Sequence, residues 1–275
     1  MKIFYQGVVG AYSYEASVKV ASKLKISESE IVGVSSFKKV FDNINSGEIG
    51  VLPIENSYAG SVHENFYHII SGDYKIVGEL YLDIDHYLLA NTENIKDVKY
   101  VYAHPQAIAQ CQNYLDENGF KAEEFGNNAL AAKYVKESGN KEYASISSVL
   151  CASIYDLKVL DKHIQDQAGN TTRFFIVVSK ETYEKKKKEL KFKKNGKTSV
   201  AFRTKDTPSA LYKCLGAFAT RFINLSKIES LPAHKNRFEY IFWIDFDSKL
   251  DKEIIDSALD ELKFFSKDLV ILGDY

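Results

Sequence analysis

From residue 1 to about residue 180, short apolar runs alternate with longer stretches of helical periodicity, the pattern of a sheet interleaved with helices. Runs at 2–5, 31–34, 49–54, 100–102, 143–146 and 174–178 predict strands. Residues 14–24 and 63–70 predict helices, and a third begins at Pro105, with Ile108, Cys111, Gln112 and Leu115 at helical spacing and Gly119 as its stop. The pattern changes beyond residue 197 to strand, helix, strand, strand, helix, strand. Thr207 and Pro208 can open a helix whose Ala210, Leu211, Cys214, Leu215 and Phe218 share a face, and Ile254, Ile255, Ala258, Leu259 and Leu262 repeat that spacing. Tyr240, Phe242, Ile244 and Phe246 alternate with Ile241, Trp243 and Asp245 in a strand between them. A ferredoxin-like βαββαβ unit accounts for this order.

Composition sharpens the division. A chain of 275 residues, 45% hydrophobic, can build two cores. Residues 181–197 fall between them and carry most of a lysine-rich run with few hydrophobes, which predicts a solvated linker. The run lacks interleaved aromatics, and the formal net charge of −1 gives no global field for nucleic acid or an anionic membrane, so neither is expected as a partner. Cys111, Cys151 and Cys214 are odd in number and without metal-ligand spacing, so they read as buried thiols in a reducing compartment. The first residues enter a strand without a signal-type apolar segment, and no 18-residue apolar span follows; a cytoplasmic location is expected.

Three clusters could carry chemistry. Gly7 to Ser13 form a turn between a strand and a helix, which can aim backbone amides at an anion or can simply serve backbone geometry, with Ser13 as a cap. Glu55-Asn56-Ser57, with Gly60, closes an apolar strand, where open α/β sheets place their ligand crevice; a helix cap is the plain alternative. Asn170-Thr171-Thr172-Arg173-Phe174 leads into another apolar strand. Arg173 there is either a fork for a carboxylate or a surface ion pair. His63 and His104 lack partners at metal-ligand spacing and read as structural, and no phosphate loop or dinucleotide fingerprint is present.

Taken in order, Gly10-Ala11-Tyr12-Ser13, Pro53-Ile54-Glu55-Asn56-Ser57 with Gly60, His104-Pro105-Gln106 with Gln110-Cys111, and Thr171-Thr172-Arg173-Phe174 resemble the prephenate dehydratase family. Leu211-Tyr212-Lys213 and Ile223 to Pro232 resemble the phenylalanine-binding ACT domain that usually follows it. The resemblance implies an α/β fold of two lobes, similar to periplasmic binding proteins, with residues 1–80 and 166–180 in one lobe and 81–165 in the other. An ACT domain at 198–275 would follow. It implies conversion of prephenate to phenylpyruvate, CO2 and water, or the same reaction on arogenate, without cofactor or metal, because the ring's aromatisation accepts the electrons.

By the same resemblance, Thr172 assists departure of the ring hydroxyl, with Glu55 the rival acid. Gly10, Ala11, Tyr12, Ser13, Asn56, Ser57, Gly60, Gln110, Thr171, Arg173 and Phe174 hold the substrate, Arg173 and the Gly10–Ser13 amides taking its carboxylates. L-phenylalanine would be sensed at Ser209, Ala210, Leu211, Asn224, Leu225, Glu229 and Ser230, in a homodimer or homotetramer. Ser209 stands where relatives usually have Gly, and Leu231 where they have Arg.

Overall fold

The computed structural model describes residues 1–190, 192, 195–233 and 239–275. The first lobe contains β1 (Ile3–Gln6), α1 (Tyr12–Leu24), β2 (Ile31–Val34), α2 (Phe37–Asn45), β3 (Ile49–Asn56), β4 (Gly60–Ser61), α3 (His63–Ser71) and β5 (Tyr74–Asp83). The chain crosses at residues 84–86 into β6 (Tyr87–Ala90), β7 (Tyr100–Ala103), α4 (Pro105–Gln110), α5 (Gln112–Asn118), β8 (Lys121–Glu124), α6 (Asn128–Ser138), β9 (Tyr143–Ser147), α7 (Val149–Tyr155) and β10 (Lys158–Lys162). It returns as β11 (Thr171–Ser179), the antiparallel neighbour of both β3 and β5. The two sheets run β2-β1-β3-β11-β5, with β4 paired to β3, and β10-β6-β9-β7-β8.

All six strands expected in this part form, whereas β4, β5, β6, β8 and β10 fall outside the expected runs. The helix at Pro105 breaks at Cys111 into α4 and α5, and Gly119 ends the second at φ 67° in the left-handed region that glycine tolerates.

The segment 181–197 is not a simple connector. Ser179 caps α8 (Lys180–Lys186), and Leu190 and Phe192 pack against the first lobe's core. Of the lysine run, Lys191, Lys193 and Lys194 lie outside the described residues.

The C-terminal domain is β12 (Lys197–Thr204), α9 (Ala210–Ala219), β13 (Leu225–Pro232), β14 (Tyr240–Asp247), α10 (Lys252–Phe265) and β15 (Ser266–Asp274), in sheet order β13-β14-β12-β15. This is the expected βαββαβ order. Thr207 does not cap α9. Ser209 takes that position in a left-handed conformation, φ 59°, without a side-chain cap bond.

Both faces of this sheet are covered. Val200, Phe202, Ile244 and Phe246 pack under α9 and α10, while Ala201, Trp243, Leu272 and Tyr275 join Phe66 and Phe175 of the first lobe in one core. Trp243 meets Phe66 edge-on at 4.8 Å between ring centroids. Gly273 permits the close approach: a Cβ there would stand 2.2 Å from the Ile76 carbonyl oxygen. Trp243→Ala is therefore expected to cost about 3–5 kcal/mol, measured by urea unfolding, because it empties the centre of a core shared by two domains.

Candidate active site

A cleft of about 360 Å³ lies between the lobes and takes its walls from both. Gly10 sits at its edge with φ +91°, and a Cβ there would come within 2.9 Å of the Cys151 sulfur, so both conformation and space require glycine. The Gly10 carbonyl accepts hydrogen bonds from Ser148 Oγ at 3.3 Å and Cys151 Sγ at 3.2 Å, and Tyr155 Oη donates to the Val9 carbonyl at 2.9 Å. These bonds clasp one lobe to the other. Burial pushes the Cys151 thiol up to about 11, so it serves as a protonated donor; burial pushes Cys111 up to about 12.

Across the floor, β3 and β11 pair Asn56 with Thr172. Asn56 Nδ2 donates to Thr172 Oγ1 at 2.9 Å and to Asn170 Oδ1 at 2.6 Å, while its Oδ1 accepts from the amides of Tyr58 and Ala59. The Asn56 amide is thus fixed at both ends. Thr172 Oγ1 accepts a hydrogen bond from Asn56, which leaves its own hydroxyl proton to donate to a ligand.

Of the thirteen catalytic and substrate residues expected, Gly10, Ala11, Tyr12, Ser13, Asn56, Gly60, Gln110, Thr172 and Phe174 line the cleft. Ser57 instead accepts from the Thr171 amide at 3.0 Å and lines a neighbouring cavity, and Thr171 Oγ1 is bound to Asp83 at 2.9 Å. Arg173 and Glu55 point the other way. Side chains alternate along a strand, so with Thr172 and Phe174 in the cleft Arg173 must face the C-terminal domain.

There Arg173 is 3% exposed, with Nη1 2.6 Å from Asp245 Oδ2, Nη2 2.7 Å from Glu79 Oε2 and Nη2 3.1 Å from Tyr275 Oη. Burial works against its charge, but Asp245, Tyr275 and Glu79 outweigh that and hold the guanidinium protonated. Glu55 is bound by Lys227 of β13 and approached by Arg173 at 3.5 Å. The expectation that Arg173 clamps a substrate carboxylate and that Glu55 is the rival acid is therefore corrected: both belong to the seam between domains.

Among the described residues, no Lys, Arg, Asp or Glu lines the cleft. Its polar wall includes residues not assigned to the site from sequence: His86, His104, Gln106, Asn127, Asn128, Ser148 and Asn170. His104 and Gln106 had a signal, the Pro105 helix start, and His104 Nδ1 does accept the Gln106 amide at 3.2 Å as a cap. Asn127 caps α6 through the Leu130 amide at 2.8 Å. Nothing caps the start of α1 at Ala11 through a side chain, leaving its first-turn amides for a ligand beside the cleft. Among the described residues, no group of three His, Cys, Asp or Glu side chains is arranged to hold a metal.

The expected effector residues do not reach the cleft. Ser209, Ala210 and Leu211 start α9; Asn224 and Leu225 enter β13, the sheet's edge strand. Ser230 is exposed, but Glu229 turns toward the first lobe, where it accepts from Ser61 Oγ at 2.6 Å and meets His63 Nε2 at 3.2 Å. His63 thus has a structural role between domains.

The prephenate dehydratase family model matches residues 3–182. The chain belongs to that family. It is 37% identical to the prephenate dehydratase of Methanocaldococcus jannaschii, covering 99% of this chain and 97% of the relative. It is 36% identical to the chloroplastic arogenate dehydratase/prephenate dehydratase 2 of Arabidopsis thaliana, covering all of this chain and 72% of the relative. Among solved structures, a prephenate dehydratase from Arthrobacter aurescens in complex with L-Phe superimposes with a TM-score of 0.83 at 26% identity, over 100% of this chain and 90% of the other. A structure described as GqqA, a novel type of quorum quenching acylase, gives 0.84 at 29%, over 99% and 97%.

The buried Arg173 network makes a prediction of its own. Arg173→Met leaves Asp245 buried without its cation, and Glu79 with Lys197 alone, and is expected to lower stability by about 3–5 kcal/mol in urea unfolding. Adding Asp245→Asn to that variant should recover part of the loss.

Proposed function

We propose that the chain dehydrates and decarboxylates prephenate to phenylpyruvate, with Thr172 as the donor to the leaving hydroxyl. The observation that carries this reading is Thr172 itself: its Oγ1 accepts from an immobilised Asn56 and its proton is left for the cleft. As the bond from the ring to the carboxylate breaks, its electron pair moves through the ring and expels the hydroxyl on the far carbon. CO2 and hydroxide depart, and the ring becomes aromatic. A threonine alcohol is too weak an acid to give up its proton early; it acts as a hydrogen bond that strengthens as charge grows on the departing oxygen.

Two substrate carboxylates must then be held without a lysine or arginine side chain. The first-turn amides of α1 and those of α6 that Asn127 does not cap, backed by their helix dipoles, together with Gln110, supply neutral donors in fixed positions. Arogenate differs in carrying an amino group on the side chain, and relatives named for each substrate are similarly close. The C-terminal domain reads as an ACT domain that senses L-phenylalanine, in a homodimer or homotetramer, a reading supported by its βαββαβ order and by the L-Phe complex of the Arthrobacter relative.

Supplying prephenate and arogenate separately and following phenylpyruvate and phenylalanine tests the activity and ranks the substrates. Thr172→Val should lose roughly 10²- to 10³-fold in kcat with a modest change in KM. Turnover near that of the parent chain would remove Thr172 from the mechanism. L-phenylalanine at millimolar concentration should change turnover or raise the Tm, and no effect on either would argue against the sensor.

A further inference from the structure

Gln110 enters the cleft from α4, and the inner end of its amide rests on a residue that no motif singled out. His86, 2% exposed, lies in the crossing between the lobes. Its Nε2 is 2.8 Å from Gln110 Oε1, its Nδ1 is 3.2 Å from Tyr12 Oη, and Tyr12 Oη is 2.7 Å from the Asp85 carbonyl oxygen.

Counting protons along this chain fixes its options. A carbonyl only accepts, so the single hydroxyl proton of Tyr12 goes to Asp85, and the phenol oxygen must accept from His86 Nδ1. Nδ1 is then protonated in every state that keeps these bonds, and Nε2 is the variable. If Nε2 also carries a proton, it donates to Gln110 Oε1 as the structure has it, and the Gln110 NH2 group faces the cleft. If the ring is neutral, Nε2 is a bare acceptor that only the NH2 group can satisfy. The amide must then turn over and present its oxygen to the cleft. Both states satisfy every polar atom, and they differ by one proton and one amide rotation.

We propose that His86 is a positioning residue whose proton sets which end of the Gln110 amide meets the substrate, so that binding of the anionic substrate takes up a proton. A carboxylate is bound by the NH2 end and repelled by the oxygen, so only the charged ring leaves Gln110 suited to prephenate. This inference rests on the reading of the cleft as a prephenate site.

The surroundings oppose charge on the ring before substrate arrives. Burial lowers the His86 pKa, while Gln110 and Asp85 only partly offset it. The other titratable groups on this side are Tyr12 and Glu15 of α1, Cys111 after α4 and Cys151 of α7. Asp85 itself is engaged by His163 at 3.1 Å and by Gln165 at 2.8 Å. The arriving carboxylates supply the negative charge that the ring otherwise lacks.

The test is kcat/KM for prephenate between pH 6 and 9 in the parent chain, His86→Asn and Tyr12→Phe. The parent value should fall with rising pH, by up to roughly tenfold per unit, because the charged ring of the free protein is being titrated away. His86→Asn removes the titrating group and should flatten the profile. Tyr12→Phe frees Nδ1 from carrying a proton, so a neutral ring can donate from Nε2, keep the Gln110 NH2 group on the cleft and flatten the profile too. A flat parent profile, or the parent slope surviving in either variant, overturns the proposal. Absence of prephenate turnover at every pH would instead overturn the functional reading on which it rests.

Discussion

Successive side chains leave β11 on opposite faces, and that alternation sends Thr172 into the cleft and Arg173 into the seam with the C-terminal domain. Phe174 and Ile176 follow Thr172 to one side, while Phe175 and Val177 follow Arg173 to the core shared with Trp243. The neighbouring strand matches it: Asn56 pairs with Thr172 and Glu55 with Arg173. One ribbon of four residues therefore carries a cleft-facing hydroxyl on one side and an interdomain charge network on the other.

The division also explains how the described lining of the cleft can do without Lys, Arg, Asp and Glu. A buried guanidinium beside the substrate would need carboxylates to accompany it, and those would repel a dianion. Here Glu79, Asp245 and Glu55 surround Arg173 on the far face, and the cleft is left to amides, hydroxyls and histidine rings. Such donors stay in place without a counter-charge, and their value rises as water leaves the site. The lobes are held together by bonds to the Val9 and Gly10 carbonyls, so the ligand amides and the clasp belong to one turn.

Much of this was legible in the chain. Periodicity located six strands of the first domain and the order of the second, and motif order pointed to the family and to nine of the residues that line the cleft. The misplacement of Arg173 was avoidable, since four consecutive strand residues cannot all face one ligand. Glu55 beside Asn56 repeats the same point. His86 left no local signal, because its importance comes from contacts with Tyr12 and Gln110, far away in sequence. The lysine-rich stretch misled through composition: Leu190 and Phe192 are few among polar neighbours, yet they suffice to fasten part of it to the core.

A crystal structure of the chain with phenylpyruvate bound is the most direct measurement of this account. It predicts electron density for the ligand within hydrogen-bond reach of Thr172 Oγ1 and the Gly10–Ser13 amides, with Arg173 still on Asp245 and Glu79. A ligand carboxylate seated on Arg173, with the seam opened to admit it, would contradict the account.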